Sequence, residues 1–256
     1  MLIRKSENCT TSTVSPPPKN LSRRIRCVTD GLEYPNLYAT AYLEGPAGDC
    51  RGFATWLGRA GVSRVDTPSE ADFVIFTGGS DVSPSMYGQS RLQGTYADPA
   101  RDELCDNLYK HCLSERIPML GICRGAQFLW VAQGGQLWQD LDNHDDGEHQ
   151  VMYLPTQQKL RASSVHHQAC KIGNSPAMRV LMTSTVSTMR EDDTAVRHGQ
   201  STDLEAYAIK GAGILGIQGH PEYAGYEEYS YVCAKMVREH LLEYAPLSGG
   251  LHRLPV

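Results

Sequence analysis

Nowhere in the 256 residues does an apolar run approach the roughly 20 needed to cross a bilayer. The opening MLIRKSENCTTSTVSPPPKN has early positive charge but no apolar h-region, so no secretory signal is expected. The eight cysteines, at 9, 27, 50, 105, 112, 123, 170 and 233, include no CxxC pair and no Cys/His cluster at zinc-ligand spacing. No metal site is expected, and scattered free thiols suit a reducing compartment; the expectation is a cytoplasmic protein. Twenty-four basic against 29 acidic residues leave a net charge of −5 with no long block of either sign, so neither nucleic acid nor a membrane is expected as a direct partner. There is no G-x-x-x-x-G-K-[ST] phosphate loop and no internal repeat.

What is there is a hydrophobic content of 41%, enough for one substantial core. Residues 1–22, rich in Ser, Thr and Pro, are read as a flexible arm, 23–245 as the folded domain and 246–256 as a tail. RIRCVTD (24–30) reads as the first strand and GDCRGFATWLGRAG as a helix closed by Gly61, with Phe53, Trp56, Leu57 and Ala60 on its apolar side. SRVDT (63–67) and DFVIFTGG (72–79) read as strands, the second buried on both faces. DPARDELCDNLYKHCLSERI (98–117) carries an Asp cap, Pro99 in the first turn, and apolar residues at 104, 108, 112 and 113; Cys105 and Cys112 are expected to face the core together. IPMLGIC (117–123) is a short buried strand and AQFLWVAQ a helix. Strand–helix alternation here argues for an α/β fold with a mostly parallel central sheet flanked by helices. QVMYLP, ACKIG, MRVLMTSTV, DLEAYAIK and GILGIQGHPE follow as strands, and GYEEYSYVCAKMVREHLLEY (225–244) as a closing helix.

Three stretches carry chemistry. In GICRGAQ, Cys123 stands at a strand-to-helix junction with Gly121 and Gly125 two residues to either side, the small-residue frame that a sharp nucleophile elbow requires. The helix that follows offers backbone N–H groups and the positive end of its dipole, and the N–H of Arg124 would point where an oxyanion develops. In GILGIQGHPEY, a β-run ends at His220-Pro221-Glu222. Pro221 disfavours the α region for the residue before it, which keeps His220 and Glu222 on one side of an extended backbone, base beside orienting carboxylate. In TGGSDVSPSMYG, Gly78 and Gly79 end a buried strand and can turn N–H groups into the cleft above the sheet.

In this order, TGGSDVSPSMYG, ADPARDELCDNLYKHCLSERIPMLGICRGAQFLWVAQGGQLWQDL, SSVHHQACK, LEAYAI and GILGIQGHPEY resemble the class I glutamine amidotransferase superfamily, most of all its γ-glutamyl hydrolase branch, the peptidase C26 type that includes γ-glutamyl-γ-aminobutyrate hydrolases. The resemblance implies a flavodoxin-like sheet with Cys123 as nucleophile, His220 as general base and acid, and Glu222 as its orienting partner. It implies Gly79 and Arg124 as backbone donors to the oxyanion. Gln127, His167, Gln168 and Glu205 match positions near the substrate, although a polar surface loop is an equal reading for His166 and His167. The function implied is hydrolysis of glutamine or a γ-glutamyl amine, a small-molecule substrate, without any cofactor. The alternative is an amidotransferase subunit passing ammonia to a separate synthetase partner; a non-catalytic binding module of the same fold is a third reading. One departure stands out: where the family usually has W-H-P-E, this chain has Gly219, which is expected to widen the pocket or loosen the wall behind His220.

Overall fold

The computed structural model describes residues 28–29, 32–44, 50–173, 177–194, 197–209 and 211–243. The expected arm, most of the first expected strand and the expected tail therefore lie outside the described residues. At the centre is a nine-stranded sheet made of β1 (Ala39–Glu44), β2 (Val62–Arg64), β3 (Phe73–Phe76), β4 (Met119–Ile122), β5 (Gly147–Tyr153), β6 (Gln158–Ser164), β7 (Met178–Ser184), β8 (Leu204–Ile209) and β9 (Ile214–Ile217). The strands lie side by side in the order β6-β5-β7-β8-β9-β4-β3-β1-β2. From β2 to β9 every neighbouring pair is parallel. From β9 outward the pairs are antiparallel, so only β5 and β8 run against the remaining seven strands.

Among the described residues four α-helices cover this sheet: α1 (Cys50–Arg59), α2 (Pro99–Glu115), α3 (Arg124–Ala132) and α4 (Glu227–Val237). All four residues of β3 are buried because they alternate between two cores. Phe73 and Ile75 join Phe53, Trp56, Tyr229 and Val232 under α1 and α4, while Val74 and Phe76 join Cys105, Cys112, Phe128 and Leu129 under α2 and α3. A parallel strand covered on both sides loses the polar alternation of a half-exposed one, which is the pattern DFVIF displays.

α2 begins as expected: the Asp98 carboxylate accepts the Arg101 N–H at 3.2 Å and Pro99 follows at the first position, where no N–H is needed. Its buried side differs from the expectation. Cys105 and Cys112 do face the core, together with Asp102 and Tyr109, but Leu104 and Leu113 are exposed. Burial of Asp102 on this face has a specific cause, the Arg124 guanidinium that pairs with it from α3. Shorter corrections apply elsewhere. SRVDT is a strand only as far as Arg64, ACKIG contributes only the short pairing of Ala169–Cys170 with Leu137–Trp138, and QKLRASS forms β6, which was not anticipated.

Candidate active site

Cys123 sits between β4 and α3 with φ 51° and ψ −114°, a conformation that costs a non-glycine residue about 1 to 3 kcal/mol. Hydrogen bonds hold it there. Its N–H continues the pairing with β9 through Ile217 O at 2.8 Å, and its carbonyl accepts the first bond of α3 from the Gln127 N–H at 3.1 Å. The glycine frame is a matter of space: a Cβ on Gly121 would lie 2.5 Å from Gly125 O and 2.6 Å from Ala126 Cα, and one on Gly125 would run into the Phe76 carbonyl. The helix can start this close to the strand only because neither residue has a side chain.

His220 follows β9, the parallel neighbour of β4, which brings it beside the cysteine. Its Nδ1 lies 2.7 Å from Glu222 Oε1, its backbone N–H donates to Ser163 Oγ at 2.7 Å, and Tyr223 stacks on the ring at 4.5 Å between centroids and 12° between planes. A Cβ on Gly78 would lie 2.9 Å from His220 Cε1 and 3.6 Å from Cys123 Cβ, so the bare glycine is what lets the imidazole pass over the strand end to the thiol. Burial alone would depress the imidazole, but the negative charge of Cys123 and the Glu222 carboxylate more than reverse this and push His220 up to about 11.

These residues share one cleft of about 450 Å³, lined by Gly52, Phe53, Gly78, Gly79, Cys123, Val165, His220, Glu222 and Tyr223. Gly79, at φ 140°, is in the cleft as expected. The turn that carries it is stapled by a residue the sequence did not single out: Arg101 donates to Gly78 O at 2.8 Å and Thr77 O at 3.2 Å while pairing with Glu44 at 3.2 Å. As the first residue of α3, Arg124 has a backbone N–H without an intrahelical acceptor. Its side chain points the other way, to Asp102 and to Cys105 Sγ at 2.9 Å, so the backbone alone faces the elbow.

The four positions expected near the substrate are not among the cleft-lining residues. Gln127 is buried and its amide donates to Gln168 O at 2.9 Å and Gln218 Oε1 at 3.2 Å. His167 is held by Asp81 at 3.1 Å, which raises its pKa above that of an ordinary imidazole. Gln168 is buried behind Gln127, and Glu205 lies among three histidines. In their place the cleft has Phe53, Val165 and Tyr223. Of these, only Tyr223 carried a sequence signal, its place directly after His-Pro-Glu. The expectation for Gly219 is also corrected: the volume beside it is filled by Tyr229, whose hydroxyl would lie 2.6 Å from a Cβ there, and by Ser163 O at 3.2 Å. An aromatic side chain from α4 takes the space, so the wall behind His220 is closed.

A cysteine elbow between a parallel strand and a helix, with a histidine just beyond the neighbouring strand and a glycine turn lining the same cleft, defines an α/β protein of the glutamine amidotransferase-like class. The Peptidase C26 family profile matches residues 66–222, and the chain belongs to that family. It is 34% identical over 162 residues to the glutamine amidotransferase-like protein YvdE of Lactococcus lactis, covering 59% of this chain and 66% of that one. It is 31% identical over 170 residues to a γ-glutamyl-γ-aminobutyrate hydrolase of Escherichia coli O157:H7, covering 56% and 61%. The chain thus spans just under two thirds of the length of these relatives. Among solved structures, one described as a GMP synthase subunit from Thermoplasma acidophilum matches with a TM-score of 0.50 at 14% identity, over 78% of this chain and 96% of that one, a likeness of fold. No described helix is long and apolar enough to cross a membrane.

Proposed function

We propose that the chain is a cysteine-dependent amidase that cleaves a γ-glutamyl amide, glutamine or a γ-glutamyl amine. The observation that carries this reading is that Cys123, His220 and Glu222 line one cleft, with Glu222 Oε1 2.7 Å from His220 Nδ1. Cys123 attacks the δ-carbonyl as the thiolate. The tetrahedral oxygen is received by the N–H groups of Gly79 and Arg124, each contributing about 3 to 4 kcal/mol to the transition state as measured oxyanion donors do. His220, protonated through its two acidic neighbours, gives its proton to the departing amine, leaving a γ-glutamyl thioester. It then takes a proton from the water that attacks the thioester, which releases glutamate and restores the Cys123 thiolate beside protonated His220. Glu222 fixes the tautomer and balances the imidazolium charge. Every step uses the chain's own side chains and backbone.

The family likeness supports this reaction, and the relative named as a γ-glutamyl-γ-aminobutyrate hydrolase favours water as acceptor. A second reading, transfer of ammonia to a synthetase partner, is favoured by the fold likeness to a protein described as a synthase subunit. Glutamate release from a panel of glutamine and γ-glutamyl amines tests both. Turnover by the isolated chain that vanishes in Cys123→Ala is expected; residual turnover in that variant refutes the nucleophile, and activity only with a partner present favours the second reading.

A further inference from the structure

Glu205, which matches a position near the substrate by resemblance, sits in a buried group with three histidines, none of which lines the cleft. His144 comes from the loop before β5, His149 from β5, His166 from the loop after β6 and Glu205 from β8. None is more than 7% exposed. One ligating atom from each lies within 4.8 Å of the other three. Glu205 Oε1 is 3.0 Å from His149 Nε2 and 3.8 Å from His144 Nδ1.

Most of the polar atoms of this group lack a hydrogen bond among the described residues. His144 Nδ1, His166 Nε2 and Glu205 Oε2 are buried without one, and the His149 ring has only the 3.0 Å approach of its Nε2 to Glu205 Oε1. Each unsatisfied atom costs about 1 to 3 kcal/mol, so three of them directed at one point call for an occupant. The outward-facing atoms, in contrast, are anchored. His144 Nε2 lies 3.1 Å from Asp203 Oδ2, and Asp203 is kept ionised by Arg190, whose Nε donates to Oδ1 at 2.6 Å. An ionised carboxylate only accepts, so His144 must donate from Nε2, and in the neutral imidazole, the form that binds a metal, its Nδ1 is a bare lone pair facing the Glu205 carboxylate. His166 donates from Nδ1 to Gln168 O at 2.9 Å, which leaves its Nε2 bare as well. Lone pairs from two imidazoles directed at a carboxylate repel unless a cation lies between them.

We infer that His144, His149, His166 and Glu205 bind a single divalent first-row transition ion, Zn²⁺ foremost. Three imidazoles and one carboxylate form a borderline N₃O donor set, the kind that selects Zn²⁺ over the oxygen-seeking Mg²⁺ and Ca²⁺. A carboxylate and a backbone carbonyl behind two of the histidines match the outer partners that orient metal-bound imidazoles. With all four tetrahedral positions filled by protein, the ion would be structural. It would tie the loop of Val165, a cleft-lining residue, to β5 and β8 and so hold the pocket wall in place. The rival occupant is a proton, shared between His149 and Glu205.

The full chain, stripped with a chelator and carrying Cys123→Ser so that the elbow thiol cannot compete, is titrated with Zn²⁺ by calorimetry and with Co²⁺ by visible absorption. One tightly held equivalent is expected, with tetrahedral Co²⁺ bands and no thiolate charge-transfer band. Zn²⁺ should raise Tm. His166→Ala and His149→Ala should each weaken binding by more than the about 10- to 100-fold typical of losing an outer partner. Asp203→Asn, which keeps every ligand, should weaken it within that range. Saturable binding unaltered in both histidine variants, bands with thiolate character, or no uptake by the folded chain would overturn the assignment. Metal content and spectra are read without turnover, so this outcome is independent of whether the amidase reading holds.

Discussion

Gly121→Ala tests the steric basis of the elbow. The new Cβ would stand 2.5 Å from Gly125 O and 2.6 Å from both Ala126 Cα and Ala126 N, whereas ordinary contact begins at 3.4 Å. All three obstacles are backbone, so no side-chain rotation relieves them, and α3 must retreat from β4 by about 0.8 Å or more. Overpacking of this kind costs about 1 to 3 kcal/mol. For a domain of this size that is a fall in Tm of about 2 to 12 °C. Cys123 moves with the helix start, and in the proposed reaction a displacement near 1 Å of the attacking thiolate costs about 100-fold in rate. Gly58→Ala is the matched control: its Cβ meets nothing within 4 Å on an exposed position of α1, so it should stabilise by about 0.5 to 1 kcal/mol. Thermal unfolding, the rate of Cys123 alkylation in a background lacking the other thiols, and glutamate release read out the three consequences. Gly121→Ala with parental Tm and parental alkylation would refute the claim that the close approach of α3 needs a bare glycine.

Two further outcomes follow from the site. Glu222→Gln removes one of the charges that raise His220; because a raised pKa stabilises the fold below the ordinary imidazole value of about 6.5 and loses that stabilisation as pH climbs through about 11, the variant should lose stability, and the alkaline limb of kcat/KM should fall, at lower pH than in the parent. An NMR titration of the His220 ring that is identical in both proteins would sink this. Gly219→Ala should destabilise by about 1 to 3 kcal/mol through the Tyr229 hydroxyl, and Tyr229→Phe in the same background should recover part of the loss; additive effects in the double-mutant cycle would mean the two positions do not share that space.

The parts of the site that lie close together in sequence were legible there. Gly121, Cys123 and Gly125 define a strand-to-helix turn by local sterics alone, and His220-Pro221-Glu222 sets imidazole and carboxylate on one side through the φ/ψ limits that proline imposes. The parallel part of the sheet was legible for a similar reason, since burial on both faces leaves unbroken apolar runs such as DFVIF. Arg101 and Glu44, which staple the Gly78-Gly79 turn, gave no such signal, because their pairing depends on how α2 lies across the end of β1.

Sequence by itself determined the cysteine elbow, the His-Pro-Glu turn and the layered sheet that carries them, because each rests on backbone geometry or hydrophobic period within a dozen residues. Only the tertiary structure decided what surrounds them. It lined the cleft with Phe53, Val165 and Tyr223 and not with Gln127, His167, Gln168 or Glu205, filled the space beside Gly219 with Tyr229, and drew His144, His149, His166 and Glu205 into one buried group. These outcomes depend on strand order, which places β9 beside β4 and β8 beside β9, and no local spacing encodes it.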